Sequence, residues 1–583
     1  MKRLRQILGF MRPYKRPLIL AAVLTAGLTF IGMAPPLLMR RLVNDVAREG
    51  RWGIFPMVMG LLFAVPVLRA LVNVVNSFAL NRVGLGIIAD TRRRLYAQLM
   101  RLSMRFYDQT PVGAIQQRLM GDVATVSGVV TGGMITLLAD VIAVGFAVVV
   151  MLRLSGWLSL LTFALLPLYY LNTWFFSKRI QAANAQLRNR MDHISSMLQE
   201  RLSAHELIQS YGQEDEEAIQ FSSQAKQIMD TSVRGSAYSI SFNQLAAFIN
   251  KLGNTAIYCA GCYFFVKGRM GYGDVMAFCA YATQLLGPVV RFSSLANQMA
   301  QAGVSVDRIN EILEREPAIR EAAEPVPVEA LEGDVAVDGL TFGYDQSTPV
   351  LRDVHIDIPS GTHLAVVGPA GGGRTTLAML LRRFYDPTDG AIRVDGNDIR
   401  TYRLRDYRQA LALVLPESTI FDGTVRENLC YGKPDASDER MVAVAEAVGL
   451  HDFVAALAQG YDARLGTGGL KLSAGVQQQI GVARALISEP FILIVDEATA
   501  SLDPDSADTV TRAILDLMAG RTTILIVSRL LMAREADQVA VFHNGAVVET
   551  GDHESLLREH QSVYRELFAK QYGEDRLPPA RET

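Results

Sequence analysis

The sequence predicts two folds in series, an all-α six-helix transmembrane bundle with long cytoplasmic helix extensions and, behind it, an α/β domain. Three observations carry that expectation. Apolar runs in the first three hundred residues are too long and too poor in charge for soluble helices. From Gly333 onward, short Val, Ile and Leu strands alternate with helices. Among them lies the stretch Val366 to Thr376, V-V-G-P-A-G-G-G-R-T-T, a buried strand running through glycines into a helix that starts near Thr375.

At 583 residues the chain is too long for a single core. The expected domains are residues 1–316 for the transmembrane bundle, 317–332 for a linker with Pro325 and Pro327 among Glu and Ala, 333–573 for the α/β domain, and 574–583 for a polar tail. A net charge of −2 gives no reason to expect nucleic acid as a partner. Cys259, Cys262, Cys279 and Cys430 are sparse, so small-residue packing is expected of them rather than metal or disulfide chemistry.

In chain order, the basic start from Met1 to Arg16 precedes a span too long for a signal-peptide core, so it is expected to stay attached. Six spans follow, centred on Leu18 to Met39, Ile54 to Leu80, Val130 to Leu152, Trp157 to Phe176, Leu245 to Val266 and Asp274 to Leu295. Each covers the roughly 20 residues a crossing needs. The segments after the second and fourth spans are long and rich in Arg, whereas the other loops are short and less basic. That asymmetry places both termini and both long loops in the cytoplasm. Leu95, Leu99, Leu102 and Phe106 recur at helical spacing, so the helices are expected to run well past the bilayer. Arg69, Asp140, Lys251 and Arg291 fall in or near the spans; they face a bundle interior or cavity, or they sit a turn away at the interface.

The glycine stretch has the spacing of the P-loop, G-x-x-x-x-G-K-[ST], with Arg374 where lysine belongs. Gly368, Gly371, Gly372 and Gly373 let successive N–H groups point at one anion, and the helix N-terminus behind them adds its positive dipole end. Further on, Asp496 and Glu497 follow the strand Phe491 to Val495. An aspartate there can hold Mg²⁺ through water, and its neighbour can orient or deprotonate an attacking water.

These motifs, in their order, resemble an ABC transporter half of the exporter type over nearly the whole chain. The order is Phe342-Gly-Tyr344, the glycine loop, Leu472-Ser-Ala-Gly-Val476, Val495-Asp-Glu497 and Ser501-Leu-Asp503. In the bundle, Arg105-Phe-Tyr-Asp-Gln-Thr-Pro-Val-Gly113 and Ile208-Gln-Ser-Tyr-Gly-Gln-Glu-Asp215 are similar to the family's cytoplasmic loop motifs. The resemblance implies ATP and Mg²⁺ as cofactors. Tyr344 stacks on adenine; Gly368, Pro369, Ala370, Gly371, Gly372, Gly373, Arg374, Thr375 and Thr376 hold phosphates; and Thr375, Glu417 and Asp496 serve the metal. It also implies a dimer closing head to tail, in which Ser473 and Gly475 reach the nucleotide of the opposite chain.

The departures from the family pattern sharpen the expectation. Arg374 puts a wide planar fork where a compact ammonium belongs. Glu417 stands in the place of the Q-loop glutamine and Ser528 in that of the switch histidine, so the catalytic set is Glu497, Ser528 and Glu417 with two of the three altered. Losing one well-placed donor costs about 10² to 10³ in rate, so this chain's own site should bind ATP and turn over poorly. The expected molecule is therefore an ATP-driven subunit exporting or flipping an amphipathic substrate, paired with a second half-transporter, a heterodimer ahead of a homodimer. It would sit multi-pass in the cell membrane with the ATP-binding domain cytoplasmic. An ATP-gated regulatory subunit and an exporter-fold importer, of siderophores for example, remain open alternatives.

Overall fold

The computed structural model describes residues 9, 11–328, 330–345, 347–466, 469–499 and 502–578. Ser501 of the Ser-Leu-Asp motif, most of the basic start and the last five residues of the tail lie outside that set. The chain forms two compact units, one of residues 1–100 with 113–315 and one of residues 101–112 with 316–583.

The first unit is helical, with α1 (Lys15–Arg41), α2 (Phe55–Leu99), α3 (Met134–Leu154), α4 (Gly156–Ser203), α5 (Glu214–Val266) and α6 (Tyr272–Leu313). At 1.5 Å per residue, a helix as long as α5 runs about 80 Å, far more than the ~30 Å hydrocarbon core. Large apolar side chains such as Leu20, Phe63, Leu71, Phe78 and Leu171 stay exposed on this unit, as they must where lipid is the solvent. Among the described residues, four helical stretches are long and apolar enough to cross a membrane: Arg12–Arg48, Trp52–Leu99, Val112–Leu154 and Gly156–Ser203. The fifth and sixth expected spans lie on α5 and α6; Asn250, Lys251 and Asn254 dilute the apolar run of the first of them.

The helices run far past the length a crossing needs, as expected, with one interruption. The helix expected to carry Leu95, Leu99, Leu102 and Phe106 stops at Leu99, although all four side chains are buried. Phe106 belongs to a separate short helix, Met104–Gln109, entered through an extended Ser103. Helical spacing persists across the break because each piece buries one face, and spacing alone does not report the turn between them.

Among its described residues the second unit holds three sheets, one of them only the two-stranded pair of Gly423–Thr424 with Arg464–Leu465. A four-stranded antiparallel sheet has the order β2-β1-β4-β5, with β1 at Val335–Phe342, β2 at Leu351–Ile358, β4 at Asp389–Val394 and β5 at Asn397–Asp398. The six-stranded sheet has the order β10-β9-β3-β8-β7-β6. Its strands are β3 (His363–Val367), β6 (Leu411–Val414), β7 (Ile492–Asp496), β8 (Thr522–Ile526), β9 (Gln538–His543) and β10 (Ala546–Gly551). All pairings are parallel except that of β10, at the edge. β3, β7 and β8 are near-continuous apolar runs because both their faces are covered, as in parallel sheets generally. Ligands of such sheets collect outside the carboxyl ends of the strands.

Candidate functional site

Register brings the site together. Val366 of β3 pairs with Ile526 of β8, which pairs with Asp496 of β7, so all three strands end at one level. The phosphate-type loop after β3 and the acidic pair after β7 are thus two strands apart, about 9.6 Å at the usual interstrand spacing.

The loop turns on two glycines. Gly368 has φ +146°, and a Cβ there would lie 2.2 Å from the Phe542 carbonyl oxygen. Gly373 has φ +96° and caps α7 (Arg374–Leu381); a Cβ there would lie 2.4 Å from Leu351 Cδ2. No side chain larger than hydrogen fits either place, and the loop keeps the course that opens its N–H groups toward an anion. Pro369 and Gly372 close a tight turn, with the Gly372 N–H donating to the Pro369 carbonyl at 3.1 Å, while Ala370 and Gly371 are exposed at the rim.

Arg374 does not project freely from this loop. Its Nη1 donates to the Val527 carbonyl at 2.8 Å and its Nη2 lies 3.1 Å from Glu497 Oε1. The Arg374 side chain is 12% exposed and that of Glu497 28%, so the pair is poorly screened. Glu497 takes the left-handed backbone region, φ +46°, and its N–H donates to the Ile526 carbonyl at 2.9 Å, which turns its side chain back over β8. The planar fork makes this double contact possible; an ammonium offers a point charge instead.

Asp496 is 2% exposed, and its Oδ1 has no hydrogen-bond partner among the described residues. Burial, then the Glu497 charge beside it, pushes its carboxyl above the usual range; the Thr375 hydroxyl and the Arg374 charge pull the other way. An orphaned, buried carboxylate oxygen beside a threonine hydroxyl is a hard oxygen donor set that fits Mg²⁺. Thr376 lies beneath, buried, and its hydroxyl meets that of Tyr344 at 3.3 Å. Tyr344 is 44% exposed.

The other expected residues are spread more widely. Ser473 is exposed and caps helix α8 (Ala474–Ile487), its hydroxyl accepting from the Val476 N–H at 3.4 Å. Gly475 is buried, and a Cβ there would lie 2.6 Å from Ser506 Oγ. Ser528 is exposed just past β8; its carbonyl accepts from Gln571 Nε2 at 2.9 Å. Glu417 is exposed and makes no hydrogen bond or ion pair with Asp496, Thr375 or the loop among the described residues.

Sequence reasoning missed two groups that border the site. One is the Val527 carbonyl, a backbone group no motif announces. The other is Tyr385, whose ring stands edge-on to Tyr344 at 5.3 Å and against Phe342 at 5.5 Å, walling one side of the expected base platform. The pattern around it, Arg383-Phe-Tyr-Asp386, carries an aromatic pair that could have flagged it.

Within the first unit, a cavity of about 830 Å³ is lined by Thr25, Arg69, Asn73, Asn76, Asp140 and Arg291, among others. Asp140 is buried and takes two bonds from Arg291, at 2.9 and 2.5 Å. Arg69 has no acidic partner among the described residues and lines the same cavity. Lys251 is exposed and lines none of it.

Residues 18–289 match the family model of the ABC transporter transmembrane region, and residues 351–500 match that of the ABC transporter. An uncharacterized ABC transporter ATP-binding protein of Bacillus subtilis is 30% identical, covering 97% of this chain and 94% of the relative. An ATP-dependent lipid A-core flippase of Syntrophus aciditrophicus is 31% identical, covering 96% of this chain and 92% of the relative. Among solved structures, a bacterial Atm1-family ABC exporter with ATP bound is similar at a TM-score of 0.79 and 25% identity, covering 97% of this chain and 99% of that one.

Proposed function

This chain belongs to the ABC transporter family, and from that premise we propose that it is the slow-turnover half of an exporter dimer, binding ATP and helping to move an amphipathic molecule across the membrane. A member with this fused architecture is an integral membrane protein that couples ATP to transport. The finer reading is supported by one observation above the rest, the contact of Arg374 with both Glu497 and the Val527 carbonyl. A carboxylate oxygen occupied by an arginine is not free to hold an attacking water. Ser528 offers only a short hydroxyl on the same edge. Asp496 and Thr375 would hold Mg²⁺, which supplies charge neutralisation on the phosphates.

The substrate reading rests on the cavity. Its apolar walls suit a chain or ring system, and Arg69 with the polar lining suits an acidic head group. One relative is a lipid A-core flippase, which favours a lipid-like amphiphile here. The dimer brings Ser473 and Gly475 to the opposite nucleotide, and both termini lie on the cytoplasmic side. Purifying the chain alone, and again with a second half-transporter from a neighbouring reading frame, tests the asymmetric reading. Turnover is expected to rise about 10²-fold in the mixed dimer; brisk turnover by the chain alone overturns it. The Arg374 pair also favours a regulatory reading, in which ATP closure acts as a switch. In the mixed dimer, Glu497→Gln then leaves transport unchanged, whereas a slow catalytic site loses its share.

A further inference from the structure

We propose that Asp108 and Tyr385 form a strap that carries the state of the Tyr344 ring to the first cytoplasmic loop of the membrane region, so that this loop responds to the nucleotide's base rather than to its phosphates. The inference rests on Tyr344 as the base platform, and it adds a positioning role for two residues outside the nucleotide-contacting set.

Residues 101–112 lie between two stretches that fold with the helical unit, yet they fold with the α/β unit. They are the piece of the membrane region that the nucleotide domain holds. Leu102 and Phe106 anchor the piece from its buried side. On its exposed side, the Asp108 carboxylate accepts a hydrogen bond from the Tyr385 hydroxyl. Burial first, and then this bond, raises the Tyr385 pKa above the ordinary phenol value, so the hydroxyl remains a donor across the physiological range.

Behind the hydroxyl, the Tyr385 ring meets Tyr344 edge to face, at 5.3 Å and 90°. Both rings abut Phe342, which is 4% exposed and gives them a fixed floor. An edge-to-face contact depends on ring orientation, so a planar group stacked on Tyr344 restricts Tyr385 as well. Restricting Tyr385 aligns the donor that Asp108 needs. Among the described residues, the phosphate loop's hydrogen bond to these rings is that of Thr376, whose hydroxyl touches that of Tyr344 at 3.3 Å, a long and weak bond. The base therefore dominates the signal.

The test is hydrogen exchange of residues 101–112 in the full chain in lipid nanodiscs, with MgATP and with Mg-tripolyphosphate, which has phosphates and no base. MgATP is expected to slow exchange there by about fivefold or more, the lower end of typical coupling, and tripolyphosphate to leave it nearly unchanged. Tyr385→Phe keeps the ring contacts and removes the hydroxyl; it should abolish the ATP effect while binding of a fluorescent trinitrophenyl-ATP stays within about threefold of the parent. Asp108→Ala, which removes the acceptor and leaves all three rings in place, should do the same. Equal protection by tripolyphosphate, or an ATP effect that survives in Tyr385→Phe, overturns the strap alone. If the parent chain binds no trinitrophenyl-ATP, the nucleotide reading falls and takes the strap with it.

Discussion

The nucleotide domain presents two functional edges, and they are prepared differently. On the phosphate-loop edge the polar groups have already found one another: Arg374 is shared between Glu497 and the Val527 carbonyl, and the Thr375 hydroxyl supports Asp496. On the signature edge, Ser473 is exposed and spends its oxygen only on a weak helix cap, and Gly475 is packed against Ser506 with no room for a side chain. One edge must break internal bonds before it can serve a ligand, whereas the other waits with its groups in water. The comparison teaches that, on the proposed reading, an arginine at position 374 does more than alter a phosphate ligand. It occupies the Glu497 carboxylate.

The largest effect expected from this contrast lies on the signature edge. Ser473→Ala should lower turnover of the assembled dimer by about 10² while leaving nucleotide binding to this chain's own loop intact. The lost cap costs only about 1 kcal/mol, so the melting temperature of the α/β unit separates the two causes. Comparable turnover in variant and parent would erase the distinction between the edges.

A smaller change is expected on the loop edge. Arg374→Lys frees Glu497 from the fork and should raise turnover of the chain alone by about tenfold, one pair's worth of charge-assisted contact. Ser528 still limits the site, so activity stays well below that of a regular exporter. If Arg374→Lys lowers turnover instead, the pair with Glu497 is not inhibitory.

The smallest effect is thermodynamic. Asp496 has its carboxyl pKa raised in the folded state, so the folded chain binds more protons than the unfolded one between the unfolded pKa and the raised value. Stability contributed through this group therefore falls as pH rises through that window, and it stays low above it. Asp496→Asn should melt about a degree or two above the parent at neutral pH, without Mg²⁺, and the gap should close below about pH 4. Added MgATP should stabilise the parent and not the variant. A variant that melts lower at neutral pH would mean the carboxylate is not strained by burial.

Much of this was legible in advance because it is written in spacing. The glycine loop, its arginine, the acidic pair and the signature serine sit at fixed offsets from strands and helices. Their chemistry follows from backbone requirements that a one-dimensional pattern records, such as the forbidden Cβ at Gly368 and Gly373. Glu417 shows the limit: its offset matches a metal-side position, and the fold leaves it exposed with no bond to Asp496 or Thr375 among the described residues. The turn after Leu99 shows another, since helical spacing continued across a break.

By itself the sequence determined the two-part architecture, the place of the phosphate loop and the positions that depart from the family pattern, because hydrophobic length, strand alternation and glycine placement are local properties. Only the tertiary structure decided that Arg374 reaches Glu497 and Val527, that Asp108 belongs with Tyr385, and that Asp140 neutralises Arg291 while Arg69 is left in the cavity. Those pairings join residues from 123 to 277 positions apart, and which side chain meets which is set by strand register and helix packing, quantities no local pattern contains.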